Sequence, residues 1–266
     1  MIDPYEIQAR LFDASSGLAE RIGRDIGSHT VALLSVTGSG EEEILRFCGS
    51  GSLVSVADSA YILTAAHVWE MFENAVGIGL TLDKEDVNHR FFMPVKSIMA
   101  YGPKDLPSWG PWGPDMRLLK IPREYADELR KVKKFYGLTI EIPEPPNINS
   151  LEVWLLIGSP AEQSTRTPKH ASLTMNAIFA TIRSNYTHSG LDYVDLKMDA
   201  TFPGIPEWFF GVSGGGFWNV LIYSSGDGEL RWILTLVGMA CWQPEKMLVR
   251  CLGAKSIRTL ISEVSQ

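Results

Sequence analysis

The chain has 266 residues, of which 45% are hydrophobic and 21% are charged. This length and composition are typical of a soluble globular protein with one domain or two tightly packed lobes, and they allow a sizeable buried core. The formal net charge of −7 argues against a general nucleic-acid binder, which would present a basic face. We therefore expect no nucleic-acid partner.

Residues 1–27 predict an N-terminal helical segment. Asp3 is placed to cap a helix, Pro4 suits its first position, and residues 15–17 predict a break. Apolar residues recur on one helical face at Ile7, Leu11, Leu18, Ile22 and Ile26. Two interpretations of this apolar stripe are open. It packs on the protein's own β-structure, which we favour, or it is a docking surface for a partner.

The N-terminus and the cysteines indicate the compartment. Residues 1–6 do not combine a basic region with an apolar run, so they do not resemble a signal peptide, and no stretch is apolar enough to span a membrane. The three cysteines, Cys48, Cys241 and Cys251, are too few and odd in number for a stapled secreted protein. We expect reduced thiols and a cytoplasmic location, while a Cys241–Cys251 disulfide stays open.

The strand pattern begins with an apolar run at residues 30–36. Residues 52–56 and 61–63 then predict a hairpin around a polar turn. The second strand continues into Thr64-Ala65-Ala66, small residues that allow close packing while the His67 imidazole projects from the strand end. A histidine after an apolar run is usually a core residue, but this small-residue approach favours a functional one.

Asp115 is the acidic residue that stands out from its surroundings. It follows a loop rich in Pro and Gly at residues 108–114 and opens an apolar strand. Aspartate is disfavoured in strands and costly to bury without a partner. Asp115 therefore either caps the loop, or its carboxylate holds the Nδ1–H of His67 so that the other ring nitrogen can accept a serine proton.

The remaining elements complete a mainly β chain. A second helix is predicted at residues 123–136, followed by a Pro-rich crossing between lobes at residues 143–147. Further strands are predicted from residue 151, at residues 177–182 and 193–198, and as a hairpin at residues 217–223 and 230–237. A C-terminal helix is indicated by Ile257, Leu260, Ile261 and Val264. Many short strands with polar turns favour an all-β antiparallel barrel or sandwich.

The run Gly211-Val212-Ser213-Gly214-Gly215-Gly216 places one serine between sharp backbone turns. Glycine on both sides lets backbone N–H groups point into an open site without a Cβ in the way. A serine hydroxyl becomes a nucleophile when a base takes its proton and the resulting oxyanion is stabilised. The same pattern also occurs in ordinary tight loops, so Ser213 is a candidate that needs the other two residues.

Together, Thr64-Ala65-Ala66-His67, Asp115-Met116-Arg117-Leu118-Leu119 and Gly211-Val212-Ser213-Gly214-Gly215 resemble the active-site motifs of trypsin-like (chymotrypsin-fold) serine proteases. They follow the His, Asp, Ser order of that family. The resemblance implies an endopeptidase with two packed antiparallel β-barrels, one at residues 28–146 and the other at residues 147–266. It implies catalysis by His67, Asp115 and Ser213, with the backbone N–H groups of Gly211 and Ser213 as oxyanion hole.

The chain also departs from the secreted digestive members of that family. Those members carry an aspartate where this chain has Val212, and that aspartate pairs with an amino terminus freed by cleavage. The cysteines that flank their serine are missing here as well. The chain is therefore more similar to bacterial intracellular or stress-type members. We expect a regulatory protein partner, or a ligand-controlled assembly, to expose the cleft.

The resemblance implies a protein or peptide substrate. Ala240, Cys241 and Trp242 match the strand whose exposed backbone pairs with the substrate. Counting back from Ser213 places Glu207 at the base of the specificity pocket, where it would favour Lys or Arg; alternatively it is a solvated loop glutamate. We expect no cofactor and no metal, since the histidines lack ligand spacing. The alternative function is a catalytically silent trypsin-like module that binds peptides.

Overall fold

In a computed structural model, which describes residues 3–82, 91–103, 112–141, 149–166, 171–201 and 205–264, the chain forms two β-structures with helices at both ends. The helices are α1 (Pro4–Phe12), α2 (Leu18–Gly27), α3 (Ala66–Glu70), α4 (Arg123–Leu129) and α5 (Ala254–Val264). Within the described ranges, none of these helices has the length and apolar character needed to cross a bilayer.

The strands divide into two groups along the chain. The first group is β1 (Thr30–Thr37), β2 (Ile44–Val56), β3 (Ser59–Thr64), β4 (Gly77–Leu80), β5 (Phe91–Pro94), β6 (Met99–Tyr101), β7 (Arg117–Lys120) and β8 (Tyr136–Gly137). The second group is β9 (Ser150–Gly158), β10 (Thr165–Arg166), β11 (Ala171–Ser172), β12 (Asn176–His188), β13 (Leu191–Met198), β14 (Gly216–Ser224), β15 (Leu230–Glu245) and β16 (Leu248–Gly253).

The first group forms one sheet in the order β5-β4-β1-β2-β3-β7-β6, with β8 alongside β2. Neighbours on this path are antiparallel, whereas β8 runs parallel to β2. The predicted hairpin is β2–β3, in which Val56 pairs with Ser59 and Ser52 with Leu63. The end of β3, which leads to His67, therefore lies at the opposite end of the hairpin from its turn.

Six strands of the second group close into a barrel in the order β12-β13-β16-β15-β14-β9, and neighbouring strands are antiparallel. The hairpin predicted at residues 217–223 and 230–237 is β14–β15, with Ser224 paired to Leu230. The predicted all-β architecture, with two groups of mainly antiparallel strands, is thus confirmed. The second barrel is closed, and within the described residues the first sheet is open at its β5 and β6 edges.

The first group of strands ends at Gly137, the last residue of β8, and the second group begins at Ser150, the first residue of β9. The predicted crossing at residues 143–147 lies outside the described residues. The predicted C-terminal helix is α5, on which Ile257, Leu260 and Ile261 are buried.

The apolar stripe of the N-terminal segment is covered by the protein itself. Its five residues, Ile7, Leu11, Leu18, Ile22 and Ile26, are at most 2% exposed. Helix α1 contacts β9 and β14, and α2 contacts β12 and β1. The favoured interpretation is therefore correct, and this stripe offers no docking surface for a partner.

The helix predicted at residues 123–136 is shorter than expected. Helix α4 ends at Leu129, and Tyr136 belongs to β8, where it pairs with Val54. The reason is a tertiary one: the Lys134 backbone N–H donates to Ser28 O, and Lys133 Nζ donates to Gly27 O. Both bonds satisfy carbonyl groups at the C-terminal end of α2, and the Lys133 ammonium is a cation at the helix end where cations are favoured. The chain is therefore extended after α4 instead of continuing as a helix.

His29 lies between the two β-structures. Its ring is 5.7 Å from the Trp218 ring of β14 and 6.1 Å from the Tyr136 ring of β8. Its Nδ1 is buried without a hydrogen-bond partner among the described residues. Burial lowers the pKa of His29 below its ordinary value, and the positive charges of Lys134 and Lys133 lower it further. The Asp25 carboxylate raises this pKa but does not outweigh the other effects.

We expect the free energy of unfolding to fall as the pH drops from about 7 to about 5. The unfolded chain takes up a proton on this histidine at a pKa of about 6.5, whereas the folded protein keeps it neutral to lower pH, so acid favours unfolding. Replacing His29→Phe, which keeps an aromatic ring beside Trp218, should flatten the dependence. Chemical denaturation across this pH range measures the effect. The exposed His188→Gln is the control, and an unchanged pH slope in His29→Phe would contradict the expectation.

Candidate active site

His67 follows a tightly packed segment at the end of β3. Ala65 and Ala66 are fully buried, and His67, on the first turn of α3, is half-buried. The Thr64 hydroxyl donates to Ser50 O at 2.7 Å, which ties the end of β3 to β2. The small residues before the histidine pack closely, as the sequence indicated, and the imidazole follows directly after the end of β3.

Asp115 contacts His67 at two points. The ring Nδ1 lies 2.6 Å from Oδ2, and the His67 backbone N–H donates to Oδ1 at 2.9 Å. The carboxylate is 4% exposed, so these two bonds replace the water it has lost. With the Nδ1 proton directed at the carboxylate, the ring is fixed in orientation and Nε2 carries the lone pair that can accept a proton.

The loop that leads into Asp115 is held by the second barrel. The Tyr193 hydroxyl on β13 donates to Trp112 O at 3.1 Å and to Gly113 O at 3.3 Å. Burial raises the pKa of Tyr193 to about 12, so the hydroxyl keeps its proton and stays a donor. The Arg250 guanidinium lies 4.1 Å from the centre of the Trp112 ring and is itself paired with the buried Asp195 at 2.8 Å.

Ser213 lies at the tip of a tight turn in the second barrel. Gly211 and Gly214 have φ of 91° and 85°, values at which glycine is favoured. The turn is closed by a hydrogen bond from Gly215 N to Val212 O, and the Gly214 N–H donates to Ala240 O on β15, both at 2.7 Å.

The same turn lies directly against the first sheet. A Cβ on Gly214 would overlap Ser50 O and Thr64 Oγ1, so only glycine fits there. Thr64 is three residues before His67, and this contact therefore brings the Ser213 turn up to the segment that carries the imidazole.

Ser50, on β2, joins the two halves of the site and was not singled out from the sequence. Its N–H donates to Ser213 O at 2.9 Å, and its hydroxyl donates to Gly211 O at 2.8 Å. The same hydroxyl accepts from Ser159 N at 2.9 Å. The residue is fully buried. These three partners, Ser213, Gly211 and Ser159, are more than a hundred positions away, so no local pattern in the sequence could have indicated this role.

The predicted catalytic residues share one cleft of about 300 Å³. His67 and Asp115 line it from the first sheet, and Gly211 and Ser213 line it from the second barrel. Among the described residues, no acceptor pairs with the N–H of Gly211 or of Ser213. The cleft is therefore lined by residues that carry an imidazole, a carboxylate and a hydroxyl, and two of its lining residues have backbone N–H groups without an acceptor in the described part of the chain.

Comparisons with known proteins found only remote likenesses to solved structures. No protein-family model and no curated protein matches the sequence. The chain is similar to the crystal structure of Rv3671c protease in its inactive form, with 14% identity over 94% of this chain and 96% of that one, and a TM-score of 0.49. It is also similar to catalytically inactive tobacco etch virus protease complexed with substrate, with 12% identity over 91% and 86% of the two chains and a TM-score of 0.43. Both likenesses are remote, and the fold assignment rests on the strand order of this chain.

Ala240, Cys241 and Trp242 all line the cleft, in three different ways. Both backbone groups of Ala240 are used by the serine turn, since its N–H donates to Gly215 O and its carbonyl accepts from Gly214 N. Ala240 therefore holds the turn and is not an exposed backbone edge. The Cys241 thiol donates to Arg250 O at 3.3 Å, and burial raises its pKa. Trp242 is 40% exposed at the rim.

Glu207 is not at the base of the pocket. Its carboxylate is exposed and paired with Lys246, and the residue does not line the cleft. The backbone explains the difference: Glu207 O accepts from Gln243 Nε2 and Met247 N, while Phe209 N donates to Gln243 Oε1. These bonds turn the carbonyl toward β15 and the side chain toward solvent, so counting back from Ser213 gave the wrong position.

We expect Ser50→Ala to lower the free energy of unfolding by about 1–3 kcal/mol, because it leaves the half-buried Gly211 carbonyl and the buried Ser159 N–H without their partner. Thermal and chemical denaturation measure this change. Ser52→Ala is a matched control two residues along the same strand, since its buried hydroxyl has no hydrogen-bond partner in the described part of the chain. That variant should be neutral or more stable, and equal losses in both variants would contradict the role given to Ser50.

Proposed function

We propose that this protein is a serine endopeptidase that cleaves protein or peptide substrates through His67, Asp115 and Ser213. The observation that carries the proposal is the double hydrogen bond between Asp115 and His67, which opens onto the cleft that Ser213 also lines. A buried carboxylate committed to one imidazole beside a serine on a glycine turn is the arrangement that activates a hydroxyl for acyl transfer.

In the proposed reaction, Ser213 Oγ attacks the carbonyl carbon of the scissile amide while its proton passes to Nε2 of His67. The C–N bond then breaks as His67 returns that proton to the leaving amine, and the acyl group stays on Ser213 as an ester. Water, deprotonated by His67, hydrolyses the ester and restores the serine. Asp115 stabilises the imidazolium at each stage and is not itself protonated.

The oxyanion that forms in both steps would be bound by the backbone N–H groups of Gly211 and Ser213. The positive φ of Gly211 and the bond from Ser50 to its carbonyl set the orientation of this backbone. Loss of one such donor typically costs 10²–10³-fold in turnover.

The proposal does not require activation by cleavage. Val212 is 1% exposed among the apolar residues of the second barrel, where a carboxylate would have to be paired to be tolerated. We propose that the Ser50 hydroxyl fixes the serine turn instead.

A regulatory partner remains part of the proposal, and it would bind somewhere other than the N-terminal stripe, which is buried. We also propose a cytoplasmic location, which Cys241 and Cys251 support, since both are buried and are not joined in a disulfide.

We expect a fluorophosphonate probe to label the wild-type protein at Ser213 and to leave Ser213→Ala unlabelled. The probe requires an activated serine, so it separates a protease from a silent peptide-binding module of the same fold. Mass spectrometry locates the modified residue, and cleavage of an unfolded protein is measured in parallel. A folded wild-type protein that binds peptides but takes up no probe would favour the silent module.

We expect Asp115→Asn to fold and to lose about 10⁴-fold in turnover, because the amide presents N–H to Nδ1 and favours the wrong imidazole tautomer. The measurement is kcat on a peptide that the wild-type protein cleaves, with circular dichroism to check folding. Asp127→Asn, which alters an exposed ion pair on α4, is the control. A loss of less than tenfold in Asp115→Asn would exclude Asp115 from the mechanism.

A further inference from the structure

The wall of the cleft beside Ser213 is apolar. Behind the serine turn it is formed by side chains that are at most 3% exposed: Phe209, Val212, Ala240 and Val249. The whole cleft has a volume of about 300 Å³. This volume is at the lower end of the roughly 300–1,000 Å³ found for ligand pockets, and it suits one bulky side chain.

The polar side chains around this wall already have hydrogen-bond or ion-pair partners within the protein. Asp115 receives both of its hydrogen bonds from His67. The Gln243 side chain accepts from Phe209 N and donates to the carbonyls of Glu207 and Glu245. The Glu207 carboxylate is paired with Lys246 outside the cleft. Among the described lining residues, no carboxylate other than that of Asp115 is present to receive a cationic side chain.

Aromatic rings form the rim of the same cleft. The Trp208 and Phe210 rings are stacked, with centroids 5.7 Å apart and planes inclined by 11°. Phe210 is 61% exposed although it directly precedes Gly211, and Trp242 stands on β15 with 40% of its surface exposed. The Phe210 carbonyl accepts from Ala161 N, which fixes the backbone that carries its ring. Exposed aromatic residues around a concave site are typical of binding surfaces.

We infer, resting on the proposed function, that the site selects substrates with a bulky apolar side chain, aromatic or long aliphatic, on the residue whose carbonyl is attacked. The apolar wall adjoins Ser213 and Gly211, the two residues that would contact that carbonyl, so the neighbouring substrate side chain enters it. A Lys, Arg, Asp or Glu side chain would lose water there without gaining a partner, and burial of an unpaired charge is strongly unfavourable.

The first test measures binding without chemistry. N-acetylated peptides that end in Phe, Leu, Lys, Arg or Glu are titrated into Ser213→Ala protein by calorimetry. We expect the peptides ending in Phe or Leu to bind at least tenfold more tightly than those ending in a charged residue. Phe210→Ala and Trp242→Ala, each combined with Ser213→Ala, should reduce that binding several-fold. Tyr5→Ala, an aromatic residue 82% exposed on α1 and outside the cleft, is the matched control.

The second test measures selection during cleavage. Wild-type protein is given peptides that differ only at the residue before the cleaved bond, and kcat/KM should be at least about 100-fold higher for Phe or Leu than for Lys or Glu. The preference should persist in Glu207→Gln, since that carboxylate lies outside the cleft.

The two proposals fail in different ways. A protein that binds apolar-ended peptides selectively but takes up no fluorophosphonate supports the inferred selectivity and overturns the catalytic proposal. A protein that is labelled at Ser213 but prefers Lys or Arg, or shows no preference, supports the catalytic proposal and overturns the inferred selectivity. If none of the five peptides binds, the inferred selectivity is overturned as well.

Discussion

The proposed chemistry depends on one close approach between the two β-structures, where the Ser213 turn lies on the end of β3. Gly214 has no Cβ, and its backbone occupies the space beside Ser50 O and Thr64 Oγ1 that any side chain would fill. Because Thr64 is three residues before His67, this contact limits how far the proposed nucleophile, Ser213, lies from the proposed base, His67. A misplacement of about 1 Å can cost on the order of 100-fold in rate, so a steric constraint at a glycine is as important as the reacting groups.

Each buried charged group at the site has its hydrogen-bond partner within its own β-structure: Asp115 with His67 in the first, and Asp195 with Arg250 in the second. Asp115, in the loop before β7, is buried, and both of its hydrogen bonds come from His67, which follows β3 of the same β-structure. The second barrel contributes position: Tyr193 holds the loop before Asp115, and the Arg250–Asp195 pair lies beneath Trp112 in that loop. Neither Tyr193 nor Arg250 forms a hydrogen bond with the Asp115 carboxylate, so both hydrogen bonds of that carboxylate remain with His67.

Local signals predicted most of the fold and the residues that line the proposed site. His67, Asp115 and Ser213 each stand in a segment whose composition departs from its surroundings, and the β2–β3 and β14–β15 hairpins have polar turns between apolar runs. What could not be predicted depends on distant partners. Ser50 looks like any serine in a glycine-rich strand until its bonds to Gly211 and Ser159 are known. Glu207 was wrongly placed because Gln243, on another strand, turns its backbone.

The way the serine turn is fixed limits how such a site could be controlled. A buried carboxylate at position 212 would need a matching cation, and supplying that cation by cleavage would make activity conditional on an earlier event. Here Val212 packs in the apolar core and the Ser50 hydroxyl holds the turn, so its geometry follows from docking of the two β-structures. That docking also depends on contacts far from the cleft, such as the bonds from Trp232 and Lys134 to Asp25. Control of the proposed protease would therefore act on access to the cleft or on the packing of its two halves, and not on the formation of the oxyanion site.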